Sequence, residues 1–110
     1  MTREIDPHQA VDFLYETAPK YAEAKSQRVF VEEFRKSKKA ILMKESGVEA
    51  IGAQEREAYA NPEYLDLLDG LKDAVEREET LRWQLEAAKA RIAIYQTMSA
   101  NNRALEKATT

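Results

Sequence analysis

Apolar residues recur at helical spacing in two long runs, which a turn-rich segment separates. The first run opens at Asp6-Pro7, because Asp can cap free backbone N–H groups and Pro fits the first turn of a helix. Pro19 interrupts this run, which predicts a kink or a break followed by one long helix. Gly47 suits the left-handed position that follows a helix. The first segment is therefore expected over about residues 7–45, as a kinked helix or a helix pair.

A second start signal, Asn61-Pro62, opens a run that contains no further proline. It predicts one helix over about residues 62–107, roughly 65 Å long at a rise of 1.5 Å per residue. Residues 48–59 are expected to form a short helix or a loop, because Gly52 weakens helical structure there. The rest of a 110-residue chain is too short to cover such a helix. Its C-terminal half should therefore project or pack on another copy.

The last helix carries a heptad repeat, in which two positions out of seven face a partner helix. One position is occupied by Tyr64, Leu71, Leu85 and Ile92, and the other by Leu67, Ala74, Leu81, Ala88 and Tyr95. Glu78, Ser99 and Asn102 are polar residues at the same positions. Asn at such a position often sets the register or the oligomeric state.

The composition agrees with an all-α protein. Charged residues make up 34% of the chain, against an average of roughly 25%, and Gly and Pro occur only three times each. The expected architecture is a single domain over residues 1–110, a helical hairpin-like protomer with a basic N-terminal helix, a short middle helix and a long C-terminal helix. A chain of this size and charge cannot close a thick core alone, so we expect a homo-oligomer.

The chain has no cysteine, which excludes disulfides and thiolate metal sites and fits a reducing compartment. No apolar run approaches the roughly 20 residues of a membrane span, so no membrane partner is expected. The polar N-terminus, residues 1–6, has no signal-peptide core. These features predict a cytoplasmic protein.

Charge is arranged in blocks. Residues 28–44 hold six bases and two acids, a net charge of +4, and residues 45–79 hold three bases and eleven acids, a net charge of −8. Two interpretations stay open. Oppositely charged helices pair with one another, or the basic block is a polyanion site on a protein that is acidic overall. If the acidic segment covers the basic one, DNA has to compete with it.

Arrangements typical of catalysis are not found. His8 is the only histidine and has no second His or Cys to complete a ligand set or activate a serine. The carboxylates of Glu76, Glu78 and Glu79 are typical of a solvated helix face rather than of an acid–base pair. The three glycines form no phosphate-binding loop. We therefore predict a protein without enzymatic activity, cofactor or metal.

The basic block predicts a nucleic-acid contact. Arg35, Lys38 and Lys39 share a helix face, because they lie three and four residues apart. The nearby Phe30 and Phe34 are expected in the core, with stacking on bases as the alternative. The candidate nucleic-acid-binding residues are Arg28, Arg35, Lys36, Lys38, Lys39 and Lys44.

Three stretches of the chain carry a family resemblance. They are a basic early helix, AEAKSQRVFVEEFRKSKKAILMKESG, an acid-led helix start, EREAYANPEYLDLLDGLKDAV, and a closing helix, LRWQLEAAKARIAIYQTMSANNRALEK, with an Arg-x-x-Glu near its end. Over roughly Phe13 to Lys107, this layout resembles the phage recombination mediators of the UvsY type.

The resemblance implies a small helical phage protein in the host cytoplasm. Such a protein binds single-stranded DNA, forms ring oligomers and loads a RecA-like recombinase onto strand coated with single-strand-binding protein. The resemblance puts the strand-binding bases at 35–44 and the assembling helix at the C-terminus. The expected oligomer interface comprises Leu81, Leu85, Ala88, Ile92, Tyr95, Asn102 and Arg103. The alternative is a coiled-coil scaffold or inhibitor of a host protein, without DNA binding.

Overall fold

A computed structural model describes residues 5–109, which are 92% helical and contain no strand. Helix α1 spans Pro7–Glu45, α2 spans Ile51–Ala60 and α3 spans Pro62–Thr109. The all-α prediction is confirmed, and so are the two long helices with a short helix between them. Within the described residues, no helix is both long and apolar enough to cross a membrane.

The helix start signals act as the sequence predicts. Asp6 Oδ1 accepts hydrogen bonds from the backbone N–H groups of His8, at 3.0 Å, and of Gln9, at 3.2 Å. Asn61 Oδ1 accepts one from the N–H of Glu63 at 2.8 Å. Each cap satisfies N–H groups that have no partner inside the helix.

The end of α1 also follows the sequence. Gly47 has φ +75°, a left-handed conformation that glycine adopts without strain from a β-carbon. Ser46 Oγ donates to the carbonyl of Met43 at 2.8 Å and accepts from the N–H of Val48 at 3.4 Å. These bonds close the helix and redirect the chain towards α2.

The sequence predicted a kink or a break at Pro19. There is no break, since α1 is helical from Pro7 to Glu45. Pro19 lacks the N–H that would bond the carbonyl of Tyr15, and its ring crowds that carbonyl, but both residues lie on the exposed side of the helix. Water can therefore satisfy that carbonyl. Thr17 on the opposite side of the helix is only 5% exposed, so packing holds the helix on its inner face.

The chain divides into two compact units, each containing part of α1 and part of α3. Residues 22–79 form the first, which we call the turn unit because it contains α2 and both connections between helices. The second, which we call the end unit, comprises the described residues 5–21 and 80–109.

The turn unit has a small core with one residue from each helix. Leu42, Ala58 and Tyr64 are buried together, and Met43 and Leu68 pack against them. Ala58 supplies the only buried side chain of α2, so this core is one of the contacts that attach α2 to the two long helices.

Burial along α3 follows the predicted heptad. Tyr64, Glu78 and Ala88 are buried, and Leu67, Leu71, Ala74, Leu81, Leu85 and Ile92 are partly buried. The repeat is therefore confirmed as far as Ile92. Between residues 93 and 109, every side chain except that of Ser99 is exposed, as the length of the helix predicts.

Helix α1 has a matching heptad that its sequence conceals. Ten of its buried or partly buried positions are Ala10, Leu14, Thr17, Tyr21, Ala24, Arg28, Val31, Arg35, Lys38 and Leu42. They follow one another at alternating spacings of four and three residues, which defines a coiled-coil seam. Four of the ten are polar or charged, so the seam does not stand out by hydrophobicity.

Candidate nucleic-acid interface

Arg28 lies in the seam of the turn unit and binds two carboxylates. Its Nε donates to Glu78 Oε2 at 2.6 Å and its Nη2 donates to Glu78 Oε1 at 3.0 Å, a two-pronged contact. Its Nη1 donates to Glu32 Oε2 at 2.8 Å. The hydrogen bonds to Glu78, and then those to Glu32, raise the pKa of Arg28 above its ordinary value. Arg28 therefore joins α1 to α3, and its guanidinium is not presented to a phosphate.

Lys38 and Lys39 are also held by acids of the turn unit. Lys39 Nζ lies 2.7 Å from Glu55 Oε1 and 4.6 Å from the centre of the Tyr59 ring. The hydrogen bond to Glu55 is the main cause that raises the pKa of Lys39. Lys38 Nζ lies 3.4 Å from Glu63 Oε2. Both lysine side chains are partly buried, so they face α2 and the start of α3 rather than open solvent.

Two of the other three candidates, Lys36 and Lys44, are exposed, and Arg35 is partly buried. Lys36 is exposed and pairs with Glu33 on its own helix at 3.1 Å. Such exposed pairs contribute little and open easily. Among the described residues, Arg35 and Lys44 have no ion-pair partner, and Lys44 is exposed. The basic block therefore contains three residues paired with acids of another helix, two exposed residues, and Arg35, which lies partly buried in the seam.

These contacts bear on both interpretations of the charge blocks. Three ion pairs join the basic block to another helix of the turn unit. Each is made with a carboxylate of the acidic segment, at position 55, 63 or 78. The pairing of oppositely charged helices is therefore observed within one chain. Contact of a nucleic acid with Arg28, Lys38 or Lys39 requires displacement of these carboxylates.

The core position expected for Phe30 and Phe34 is wrong. Phe30 is 63% exposed and Phe34 is 39% exposed. Their rings are nearly parallel, with centroids 5.9 Å apart and an interplanar angle of 9°. The cause is the concealed seam of α1: since Arg28, Val31 and Arg35 point inward, the two phenylalanines point outward.

Three further exposed residues continue this stripe along α1. Ser37, Ile41 and Lys44 follow Phe34 at spacings of three, four and three residues, so all five lie on one side of the helix. We call Phe30, Phe34, Ser37, Ile41 and Lys44 the aromatic face. It combines two stacked rings, an exposed aliphatic side chain and an accessible ammonium group, which is a suitable combination for holding unpaired bases and a phosphate.

The predicted oligomer interface lies in the end unit and is only partly accessible. Ala88 is 5% exposed in the single chain, and Leu81, Leu85 and Ile92 are partly buried, because this seam already packs inside the protomer. Tyr95, Asn102 and Arg103 are exposed. An interface with another copy is therefore better served by the last turns of α3 than by the seam before them.

The end unit also contains a cleft that sequence reasoning missed. Its volume is about 380 Å³. The residues lining it are Asp6, Gln9, Ala10, Phe13, Gln84, Ala87, Ala88 and Arg91. Three alanines leave space between the helices that larger residues would fill. Recognition of the α1 seam would have predicted the cleft, because the seam includes Ala10, which lines the cleft together with Ala88.

Neither His8 nor the acids form a metal centre: within residues 5–109, no group of three or more His, Asp or Glu side chains is placed to hold an ion. No protein-family model, curated protein or solved structure matches the chain.

Proposed function

We propose that this chain is a non-catalytic accessory protein of phage recombination, of the mediator type, which binds single-stranded DNA along α1. The observation that carries the proposal is the exposed, stacked pair of Phe30 and Phe34 on the helix that also holds the basic block. Exposure of two phenylalanines costs stability, and stacking on bases is a function that accounts for it.

Binding combines stacking with phosphate neutralisation. Each base stacked on an aromatic ring contributes about 1–3 kcal/mol, whatever its sequence, because every base has a flat face. The exposed Lys44 neutralises a phosphate first, and Lys38 and Lys39 follow when their carboxylates are displaced. Because the chain has a net charge of −3, the affinity of one protomer for DNA is modest. The affinity falls with salt because lysines that neutralise phosphates release cations from the DNA.

Assembly strengthens this weak site. The last turns of α3 expose Ile94, Met98 and Leu105 at 51%, 52% and 65%, together with Tyr95. Apolar side chains in such a row favour packing against another copy. Several weak sites on one oligomer then act on the same strand, which raises the overall affinity. By resemblance, the protein partners are a RecA-like recombinase and single-strand-binding protein, in the host cytoplasm.

The test is fluorescence anisotropy of a labelled single-stranded oligonucleotide, titrated with the protein at low and at physiological salt. We expect saturable binding that weakens as salt rises, and weaker binding of a duplex of the same length, because paired bases cannot stack on the rings. Absence of binding to the single strand at low salt contradicts the proposal.

The same apolar row on α3 favours a second candidate function, a scaffold that contacts only protein. DNA binding along α1 does not require Ile94, Met98 or Leu105. For a protein-only scaffold, we expect no DNA affinity at any salt concentration and association with a host protein that survives nuclease treatment.

A further inference from the structure

We infer that the acidic segment of the turn unit competes with single-stranded DNA for the basic block, with Glu55 and Glu63 holding the two lysines that the strand needs. This inference rests on the proposed function and adds its regulation: the protein is a restrained binder, and the strand has to exchange phosphates for carboxylates.

The contacts of Glu55 and Glu63 are those expected of groups that compete with a phosphate for a lysine. A carboxylate oxygen of Glu55 lies 2.7 Å from the Lys39 ammonium group, and one of Glu63 lies 3.4 Å from that of Lys38. These are the positions that phosphate oxygens would take on a bound strand. Glu55 and Glu63 have side chains 45% and 63% exposed, so solvent and a polyanion can both reach the pairs. Pairs this accessible are weak enough to exchange.

Glu55 is carried by an element that can release it. Helix α2 has only ten residues, too few to be stable without packing. Its N-cap Ala50 makes no side-chain hydrogen bond, its first turn has no acid, and its last turn has no base. Ala58 is its single buried residue. The Lys39–Glu55 pair and the Lys39–Tyr59 contact therefore attach α2 to α1 together with the packing of Ala58 on Leu42.

The exchange of carboxylates for phosphates changes how steeply the affinity for DNA falls with salt. A lysine that binds phosphate releases a condensed cation from the DNA. When the same lysine leaves a carboxylate, that carboxylate attracts a cation in return, so fewer ions are released in total. The affinity of the wild-type protein should therefore fall less steeply with salt than that of a variant whose lysines are already free.

The experiment compares two double variants with equal net charge. Glu55→Gln/Glu63→Gln frees Lys39 and Lys38, and Asp69→Asn/Asp73→Asn neutralises two exposed acids of the same unit that lie on α3. Each changes the charge by +2, so general electrostatics contributes equally to both. Anisotropy of a single-stranded oligonucleotide is measured over a series of salt concentrations, and circular dichroism confirms the helical content of each variant.

We expect Glu55→Gln/Glu63→Gln to bind about fivefold more tightly than Asp69→Asn/Asp73→Asn, which corresponds to about 1 kcal/mol summed over the two exposed pairs, and with a steeper salt slope. Equal affinities and slopes for the two variants overturn the inference while leaving the proposed function intact. No binding by wild type or by any variant at low salt overturns both. If the double variant loses helix, Glu63→Gln alone serves, with an expected gain of about twofold.

Discussion

Replacing Arg28 by Met is expected to lower the melting temperature by more than any substitution on the exposed faces. Glu78 is only 6% exposed and receives two hydrogen bonds from Arg28, at 2.6 and 3.0 Å. Removing one partner of a buried pair leaves the other charge in a poorly solvated position, which is strongly destabilising. Thermal denaturation followed by circular dichroism at neutral pH measures the effect.

A double variant separates the pair itself from the cost of breaking it. Arg28→Leu/Glu78→Leu places two leucines in the heptad seam, and such replacements are often neutral or stabilising. We expect its melting temperature to recover to that of the wild type or above. Lys36→Met, which removes only the exposed pair with Glu33, is the control and should change little. A melting temperature of Arg28→Met equal to that of Lys36→Met would show that the seam pair contributes nothing.

The same double variant also tests the role of Arg28 in DNA binding. Because its guanidinium faces Glu78 and Glu32 inside the turn unit, we expect the folded double variant to keep its affinity for single-stranded DNA. A loss of affinity without a loss of helix would make Arg28 a strand contact, as the sequence alone predicted.

Replacing Phe30 and Phe34 together by Ala is expected to weaken single-stranded DNA binding at least tenfold, with little change in melting temperature. The affinity falls because each stacked base contributes about 1–3 kcal/mol, and tenfold corresponds to about 1.4 kcal/mol. Stability changes little because the two side chains are 63% and 39% exposed. Anisotropy at one moderate salt concentration measures the affinity.

The matched control removes apolar surface elsewhere in the turn unit. Leu65→Ala/Val75→Ala truncates side chains of α3 that are 48% and 41% exposed, and it should leave the affinity unchanged. Equal losses in both double variants would mean that apolar surface in general matters, and not the aromatic face. A large fall in the melting temperature of the phenylalanine variant would instead make the rings structural.

The sequence predicts α3 well because every seam position from Tyr64 to Ile92 except Glu78 is apolar. It predicts the seam of α1 poorly for the opposite reason. Thr17, Arg28, Arg35 and Lys38 occupy inward positions there, and a polar residue at such a position is recognised only when its partner on the other helix is known. Phe30 and Phe34 were consequently expected in the core, whereas the structure places them on the exposed side of α1.

The charge blocks could be read from the sequence, and pairing between them was one of the two interpretations, but the individual partners could not be predicted. Glu55 and Lys39 are 16 residues apart, and Glu78 and Arg28 are 50 apart. Helical spacing relates residues three and four apart, so it says nothing about such pairs. The turn at Gly47 and the short helix α2 determine which carboxylate meets which lysine, and these local elements depend on a core of three buried residues.

The most direct measurement of the strand's position is photochemical cross-linking. A single-stranded oligonucleotide containing 5-iodouracil is irradiated with the wild-type protein at low salt, and the cross-linked residues are identified by mass spectrometry. We predict cross-links at Phe30 and Phe34, where an iodinated base stacks directly on an aromatic ring. Cross-links confined to residues 80–109, or none at protein concentrations that saturate the anisotropy, would contradict a strand-binding site on the aromatic face.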